Sequence, residues 1–428
     1  MEKVDVAIVG AGLAGLAAAY CLADDGFDVL VVERGDYPGS KNVSGGRLYL
    51  NPLRPLLSDL WSDAPLERPV TKERLSIMSE GASATVELAS QRLRESPGHS
   101  FTVLRSRFDR WLADRAAERG AMIVPKYAVD DLLVEQGRVV GICAAGDAIR
   151  ADVVVAADGA LSFIAEKAGL RSRHKPSNFA VGVKEVLELP AEVIEDRFNL
   201  APGEGAAQLF FGAITEGITG GGFVYTNQRS LSLGLVVGLK GLKDGESIGR
   251  VHQLMERFKA RPEIQVMIAG GELVEYSAHT IPEGGLDALP RLFGDGIIVA
   301  GDAAGLALNM GLTVRGMDFA LASGVLAARA IARARQQRDY SAATLADYRS
   351  LLESSFVFKD LKTFRHMPRF LDNPRIFDTY PKTVCGLLEE LLWIGEGGKT
   401  KLSTTMLRKI RSILGVSTLR DLWSLRKV

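Results

Sequence analysis

Between Val4 and Gly35 the chain reads VDVAIVGAGLAGLAAAYCLADDGFDVLVVERG, and few segments this short constrain a fold more. Val4, Val6, Ile8 and Val9 form an apolar strand that ends at Gly10. Gly10-Ala11-Gly12-Leu13-Ala14-Gly15 is a G-x-G-x-x-G run, followed by an alanine-rich helix to Ala23 and a second apolar run, Val29 to Val32, closed by Glu33. This is the strand–turn–helix–strand context of a dinucleotide-binding βαβ unit. Gly10 allows the tight turn, Gly12 lets a pyrophosphate approach the backbone, and Gly15 permits close helix–strand packing. The helix N-terminus offers N–H groups and a positive dipole end to the phosphates. Glu33 stands 18 residues beyond Gly15, where a carboxylate meets ribose hydroxyls. The expected contacts are Gly10, Gly12, Leu13, Ala14, Gly15, Glu33 and Arg34. Alone, they recognise only an adenosine diphosphate half.

Composition narrows the class. Lys plus Arg equals Asp plus Glu at 52 each, so no global field draws nucleic acid. Cys21, Cys143 and Cys385 are scattered without CxxC spacing, which points to a reducing compartment and against a disulfide framework, a zinc site or a cluster held by four thiolates. The five histidines (His99, His174, His252, His279, His366) are isolated, and no metal site is expected. No uninterrupted apolar run reaches the roughly 18 residues of a membrane-spanning helix. A strand pattern that begins at Val4 leaves no room for a signal peptide. No second strand–GxGxxG–helix unit offers a tight NAD(P)H site.

Three further segments bear on the identity of the dinucleotide. Leu104 to Val124 places Arg105 ahead of an amphipathic helix that carries Phe108, Trp111 and Leu112 inward. Ala151 to Ser162 is a buried strand ending in Asp158-Gly159. Gly296 to Ile331 is a strand ending in Gly301-Asp302-Ala303, then a glycine-bearing loop and a long helix. In this order the pieces resemble the p-hydroxybenzoate-hydroxylase-like class of FAD proteins. That resemblance implies FAD, with Asp302 beside its ribityl–pyrophosphate chain, Asn309 to Gly311 beside the flavin ring, and Arg105 on the cofactor. It extends the expected contacts to Val129, Asp158, Gly159, Gly301, Leu312 and Thr313. A helix beginning near Thr313 would point its positive end at the flavin.

The run YPGSKNVSGGRLYLNPL (Tyr37 to Leu53) sharpens the resemblance, with Ser44, Gly45 and Gly46 as expected FAD contacts. So does GGGFVYTNQRSLSLGLVVGLKGL (Gly220 to Leu242), a predicted hairpin. With the late GDA segment, these look like the electron-transferring-flavoprotein:quinone oxidoreductase family, and most closely its FixC (EtfC) branch. The longer relatives carry an iron–sulfur module whose cysteines this sequence lacks. The resemblance therefore implies an electron-transferring flavoprotein with alpha and beta subunits (FixA/FixB-like) as donor, a ferredoxin-like FixX chain for the cluster, and quinone as acceptor. In this branch that is an electron-bifurcating complex, sometimes serving nitrogen fixation. Other readings are a geranylgeranyl-reductase-like or aromatic-hydroxylase-like flavoenzyme, and a FAD-containing scaffold. No Ser/His/Asp set or carboxylate pair is present, and no catalytic residue is expected.

The fold class expected is α/β, with a discontinuous Rossmann-like FAD-binding domain (1–75, 100–171, 291–335). An α+β substrate or quinone domain is inserted (76–99 and an antiparallel sheet at 172–290), and a helical region (336–428) ends the chain. Phe210, Phe211, Phe223 and Tyr225 suit a quinone slot, although any one aromatic in a strand is ordinarily core. From Gly397 on, eight Lys/Arg face one acid, Asp421. Met406, Leu407, Ile410, Ile413 and Leu414 fall on one helical face, with Arg408, Lys409 and Arg411 around the other. Such a helix either lies on an anionic membrane or docks on its own domain or a partner. The location expected is cytoplasmic, peripheral on the cytoplasmic face of the inner membrane.

Overall fold

The computed structural model describes residues 3–42, 46–95, 98–172, 175–242, 247–413 and 415–427. Ser44, Gly45, His174 and Leu414 lie outside the described residues, as do the side chains of Ile410 and Ile413. Among the described residues two large sheets carry the fold. In the first, the strands run in the order Phe293–Gly294, Ile297–Val299, Asp147–Ala156, Lys3–Val9, Val29–Val32, Met122–Val124. All neighbours pair in parallel except the first two. The strand residues are near-continuous Val, Ile and Ala because helices cover both faces, which leaves no solvent side for alternation. Val6, Ile8, Val29, Val31, Val153 and Val155 are all fully buried. A hairpin, Val129–Glu135 with Arg138–Ala144, pairs antiparallel with the outer half of Asp147–Ala156. The first helix, Leu13–Asp24, packs against the long helix Met317–Gln337.

The second sheet runs Glu272–Pro282, Phe179–Glu188, Ser230–Gly238, Gly220–Thr226, Gly205–Gly212, Val70–Met78, Ser83–Ala89. It is antiparallel except where Gly205–Gly212 lies parallel to Val70–Met78. The segment Gly220 to Leu242 folds as the hairpin its alternation predicts. A period of two sorts the faces. Val183, Phe210, Val224, Leu233 and Leu235 enter a second core with the helices Ala191–Phe198, Ser247–Lys259 and Pro262–Ile268. Leu209, Phe211 and Phe223 face the other way, toward the first sheet's carboxyl edge. Val70–Met78 joins this sheet from inside the stretch 1–75 that sequence patterning assigned to the FAD-binding part. It pairs locally with Ser83–Ala89, but the pairing that ties it into this sheet is with Gly205–Gly212, over a hundred residues away, and no local signal marks that.

The helix expected near Thr313 starts at Met317 instead. Before it, Leu308–Asn309 and Val314–Arg315 form a small antiparallel hairpin. The Asn309 side chain accepts from the Gly311 N–H (2.9 Å), and Gly311 turns at φ +81°. This side-chain-stabilised turn competes with helix at a residue suited to it, so the hairpin forms first.

The remainder is helical through Leu425–Lys427. Helix Leu402–Ile413 packs on Thr379–Leu392, with Arg408 paired to Glu390, and Arg375 holds Asp421 through two bonds of 2.8 and 2.7 Å. No described helix is long and apolar enough to cross a membrane.

Candidate flavin and substrate cavity

Three parallel strands of the first sheet end side by side, at Gly10, at Asp158-Gly159 and at Gly301-Asp302. A ligand-binding crevice is expected outside the carboxyl ends of such strands. A cavity of about 780 Å³ opens there and runs between the two sheets. It is lined by Gly10, Gly12, Leu13, Ala14, Glu33, Arg34, Gly46, Arg105, Val129, Asp158, Gly159, Asp302, Asn309, Gly311 and Leu312. The structure thus gathers into one wall most of the positions the sequence singled out. Gly15, Gly301 and Thr313 stand outside it, and Thr313 lines a separate hollow with Tyr49, His99 and Arg315.

The glycines divide by what surrounds them. Gly10 adopts φ +103°, and a Cβ there would come within 2.4 Å of the Ala157 carbonyl oxygen. A Cβ at Gly15 would meet the Gly10 carbonyl oxygen at 2.0 Å. Gly12, by contrast, has φ −86° and nothing within 4 Å of its missing Cβ. The first two serve the fold; the third leaves open space at a helix N-terminus, which suits a diphosphate. Glu33 accepts from the Ala11 N–H (2.9 Å) and the Gly35 N–H (2.6 Å), which ties its carboxylate to the glycine turn.

Arg105 opens the helix Arg105–Glu118 and is gripped by Asp109 one turn on, through two bonds of 2.7 Å. Asp109 is fully buried and also accepts from Asn42 Nδ2 at 2.6 Å. Held in this way, the guanidinium lines the cavity beside Asp302. Burial pushes the Asp302 carboxyl up to about 6, although Arg105 opposes the shift. Asp158 is raised by burial too, but its oxygens accept from Ser162 Oγ (2.8 Å) and the Ile164 N–H (3.1 Å) and so cap the following turn of helix. The basic groups Arg34, Lys41 and Arg105, with the open helix end at Gly12, form a cradle matched to a diphosphate, and the cavity continues from it past Asp302 and Asn309.

Sequence reasoning missed several residues here. Asp109 was legible as an i,i+4 partner of Arg105. Lys184, buried on strand Phe179–Glu188, has its ammonium held well below the usual range by burial and by Arg105, with Glu275 opposing. His279 is lowered by burial and by the Arg105 and Arg34 charges. Arg47 is fixed by Glu73 and Ser100 and lies 4.6 Å over the Tyr49 ring. Glu283 lines the cavity next to Asn309. Nothing in local pattern marks Lys184, His279 or Glu283, because tertiary burial alone makes them unusual. Among the aromatic candidates, Phe210 faces both ways: it packs on Phe258 (ring centroids 5.2 Å apart) and touches the cavity. Phe211, Phe223 and Tyr225 line it, the last two stacked at 4.9 Å.

Away from the diphosphate cradle the lining turns apolar and is completed by the helical region through Met367, Phe370, Leu371, Ile376, Phe377 and Leu425. Comparison with known proteins decides the family. A curated relative, Protein FixC of Escherichia coli O157:H7, is 46% identical over 417 residues, 97% of each chain. The chain belongs to the FixC family. It matches the model of the FAD binding domain over residues 3–200 and that described as ETF-QO, ubiquinone-binding, over 179–281. It is also 44% identical, over 92% of its length and 91% of the relative's, to the probable electron transfer flavoprotein-quinone oxidoreductase YdiS of Escherichia coli K12. In fold this FixC-family chain is similar to a geranylgeranyl bacteriochlorophyll reductase-like protein from Thermoplasma acidophilum, with a TM-score of 0.73 and 22% identity over 99% of this chain and all of that one. The FixC-family chain is accordingly a FAD-dependent oxidoreductase. When bound, FAD supplies the redox chemistry, and the protein's part is to place it and control access.

Proposed function

We propose that this chain takes electrons from an electron-transferring flavoprotein with FixA/FixB-like subunits and passes them to a quinone. It does so as the FAD subunit of a FixABCX-type electron-bifurcating assembly. The observation that carries this reading is the two-part cavity: a cationic cradle at one end, and an apolar slot walled by Phe211, Phe223 and Tyr225 leading toward the helical region. Such a slot suits an apolar quinone head. The three scattered cysteines, with no described cluster of metal-binding side chains, support a separate ferredoxin-like FixX chain as carrier of the iron–sulfur centre. The residues that hold FAD in this reading are those that line the cradle, with Asn309 to Leu312 at the flavin.

The same reading puts the chain on the cytoplasmic face of the inner membrane. Leu392, Trp393, Ile394, Leu407, Leu422 and Trp423 are exposed on the terminal helices, a larger apolar surface than a soluble face needs. Lys399, Lys401, Arg411 and Arg420 are exposed among them, which suits anionic lipid. Leu425 belongs both to this surface and to the cavity lining, so a quinone leaving the bilayer would enter the slot directly.

The test is reconstitution. The FAD-loaded chain, mixed with an electron-transferring flavoprotein and a short-tailed quinone, should reduce the quinone. Turnover of an isoprenoid double bond, or oxygen use stimulated by a phenol, with no quinone reduction, would replace this reading by a stand-alone reductase or hydroxylase.

A further inference from the structure

Four carboxyl groups line the cavity among the described residues: Glu33, Asp158, Asp302 and Glu283. Glu33 accepts from two backbone N–H groups at the glycine turn, Asp158 caps a helix, and Asp302 lies beside Arg105. These three belong to the cradle. Glu283 lies elsewhere, directly after strand Glu272–Pro282, where the apolar slot meets the Asn309 hairpin.

Its backbone is anchored where the Glu283 N–H donates to the Asn178 carbonyl (2.8 Å), and, two residues on, the Pro368 ring lies so near Gly285 that an added Cβ would meet it at 3.0 Å. Pro368 belongs to the helix Met367–Leu371, which supplies Met367, Phe370 and Leu371 to the slot. The carboxyl receives one long contact, from Asn309 Nδ2 at 3.5 Å. The titratable groups on the elements around it are His279, Asp287, Arg315, Arg365, His366 and Arg369. Asp287 and Arg365 are bonded to each other at 2.8 Å. None of these charges sets the proton affinity of Glu283. Burial raises it to about 7, and the Asn309 amide alone opposes. A carboxylic acid so placed keeps its proton on a substantial fraction of molecules near neutrality and faces an apolar slot.

We propose that Glu283 is the proton donor to the quinone oxygen during quinone reduction. The inference rests on the quinone reading above. Converting a quinone to its quinol takes two electrons and two protons. The electrons come from the enzyme's redox centre. One proton comes from Glu283: its O–H bond breaks as the quinol O–H forms, and a carboxylate remains. Solvent supplies the second proton and later reprotonates the carboxylate. An acid whose proton affinity lies near the working pH is best matched to such a transfer.

The test compares wild type and Glu283→Gln as FAD-loaded proteins, reduced chemically and mixed with one of two acceptors. A short-tailed ubiquinone needs protons; ferrocenium takes an electron alone. Glu283→Gln should slow quinone reduction by roughly 10²-fold and leave the ferrocenium rate unchanged. The wild-type quinone rate should fall as pH rises through the Glu283 transition, and the variant should show no such limb. A readout independent of turnover is the melting temperature of the FAD-free protein against pH. A raised acid stabilises the fold below its ordinary value and loses that contribution as pH rises to about 7, so the substitution should flatten this window. Equal quinone rates and pH profiles in the two proteins would overturn the role of Glu283 and leave the quinone reading standing. Normal ferrocenium reduction with no quinone reduction by wild type would overturn the quinone reading, and this inference with it.

Discussion

Substituting Gly12 by Ala separates the fold from the cofactor. The backbone at Gly12, φ −86° and ψ −179°, is extended and open to any residue, and nothing lies within 4 Å of the added methyl. Gly→Ala at such a site stabilises by about 0.4–1 kcal/mol through the unfolded chain. The FAD-free protein should therefore melt at or slightly above the wild-type temperature. The methyl, however, projects into the space at the N-terminus of helix Leu13–Asp24 where a diphosphate must approach. Pushing the phosphate off one N–H removes a charge-assisted hydrogen bond worth about 1.5–3 kcal/mol, which is roughly a 10- to 100-fold rise in Kd for FAD. Gly15→Ala is the opposite case. Its methyl would sit 2.0 Å from the Gly10 carbonyl oxygen, a backbone atom that cannot turn aside, and overpacking of this kind costs about 1–3 kcal/mol. Fluorescence titration of FAD and urea unfolding of the FAD-free proteins measure both quantities. Wild-type FAD affinity in Gly12→Ala, or a loss of FAD-free stability equal to that of Gly15→Ala, would refute the reasoning.

Asp109→Asn should lower FAD affinity and destabilise the fold by about 3 kcal/mol, because it leaves a buried Arg105 without its charge partner; urea unfolding and FAD titration check it. Asp302, with its carboxyl raised to about 6, binds its proton more tightly folded than unfolded. The FAD-free protein should lose stability as pH rises from about 4 to 6, and Asp302→Asn should remove that slope in a pH-dependent melting series. Trp393→Glu with Trp423→Glu should cut sedimentation with vesicles rich in phosphatidylglycerol by at least roughly tenfold while sparing ferrocenium reduction; unchanged sedimentation would remove this surface from membrane contact.

The βαβ unit was legible because its glycines, strand and helix are neighbours in sequence and each local preference agrees with the fold. The hairpin at Gly220 was legible by its alternation. Val70–Met78 was not, since its local pairing with Ser83–Ala89 makes only a hairpin and its place in the second sheet depends on Gly205–Gly212. The start of the long helix was misplaced because the side chain of Asn309 reorganises its own turn, a local hydrogen bond that hydrophobic periodicity does not register. Of the buried charged groups at the site, Arg105 could be expected from its place at a helix start, and Asp109 from its spacing. Lys184 and Glu283 could not, because a strand lysine and a turn glutamate become exceptional only when distant chain closes over them.

The parallel pairing of Val70–Met78 with Gly205–Gly212 has a consequence for biosynthesis. The first sheet waits for Ile297–Val299 beside Asp147–Ala156, while residues between them build the second sheet. A nascent chain that has just emerged through residue 200 holds the glycine turn and the hairpin of Val70–Met78 with Ser83–Ala89, yet lacks Ile297–Val299 beside Asp147–Ala156 and Gly205–Gly212 beside Val70–Met78. Two half-finished sheets, each with an open apolar edge, must then stay apart until the last third of the chain arrives. Such late, long-range closure is slow and exposes strand edges to aggregation. Recombinant fragments that stop between the sheets should be insoluble, and the intact chain should depend on chaperones more than its ordinary composition suggests.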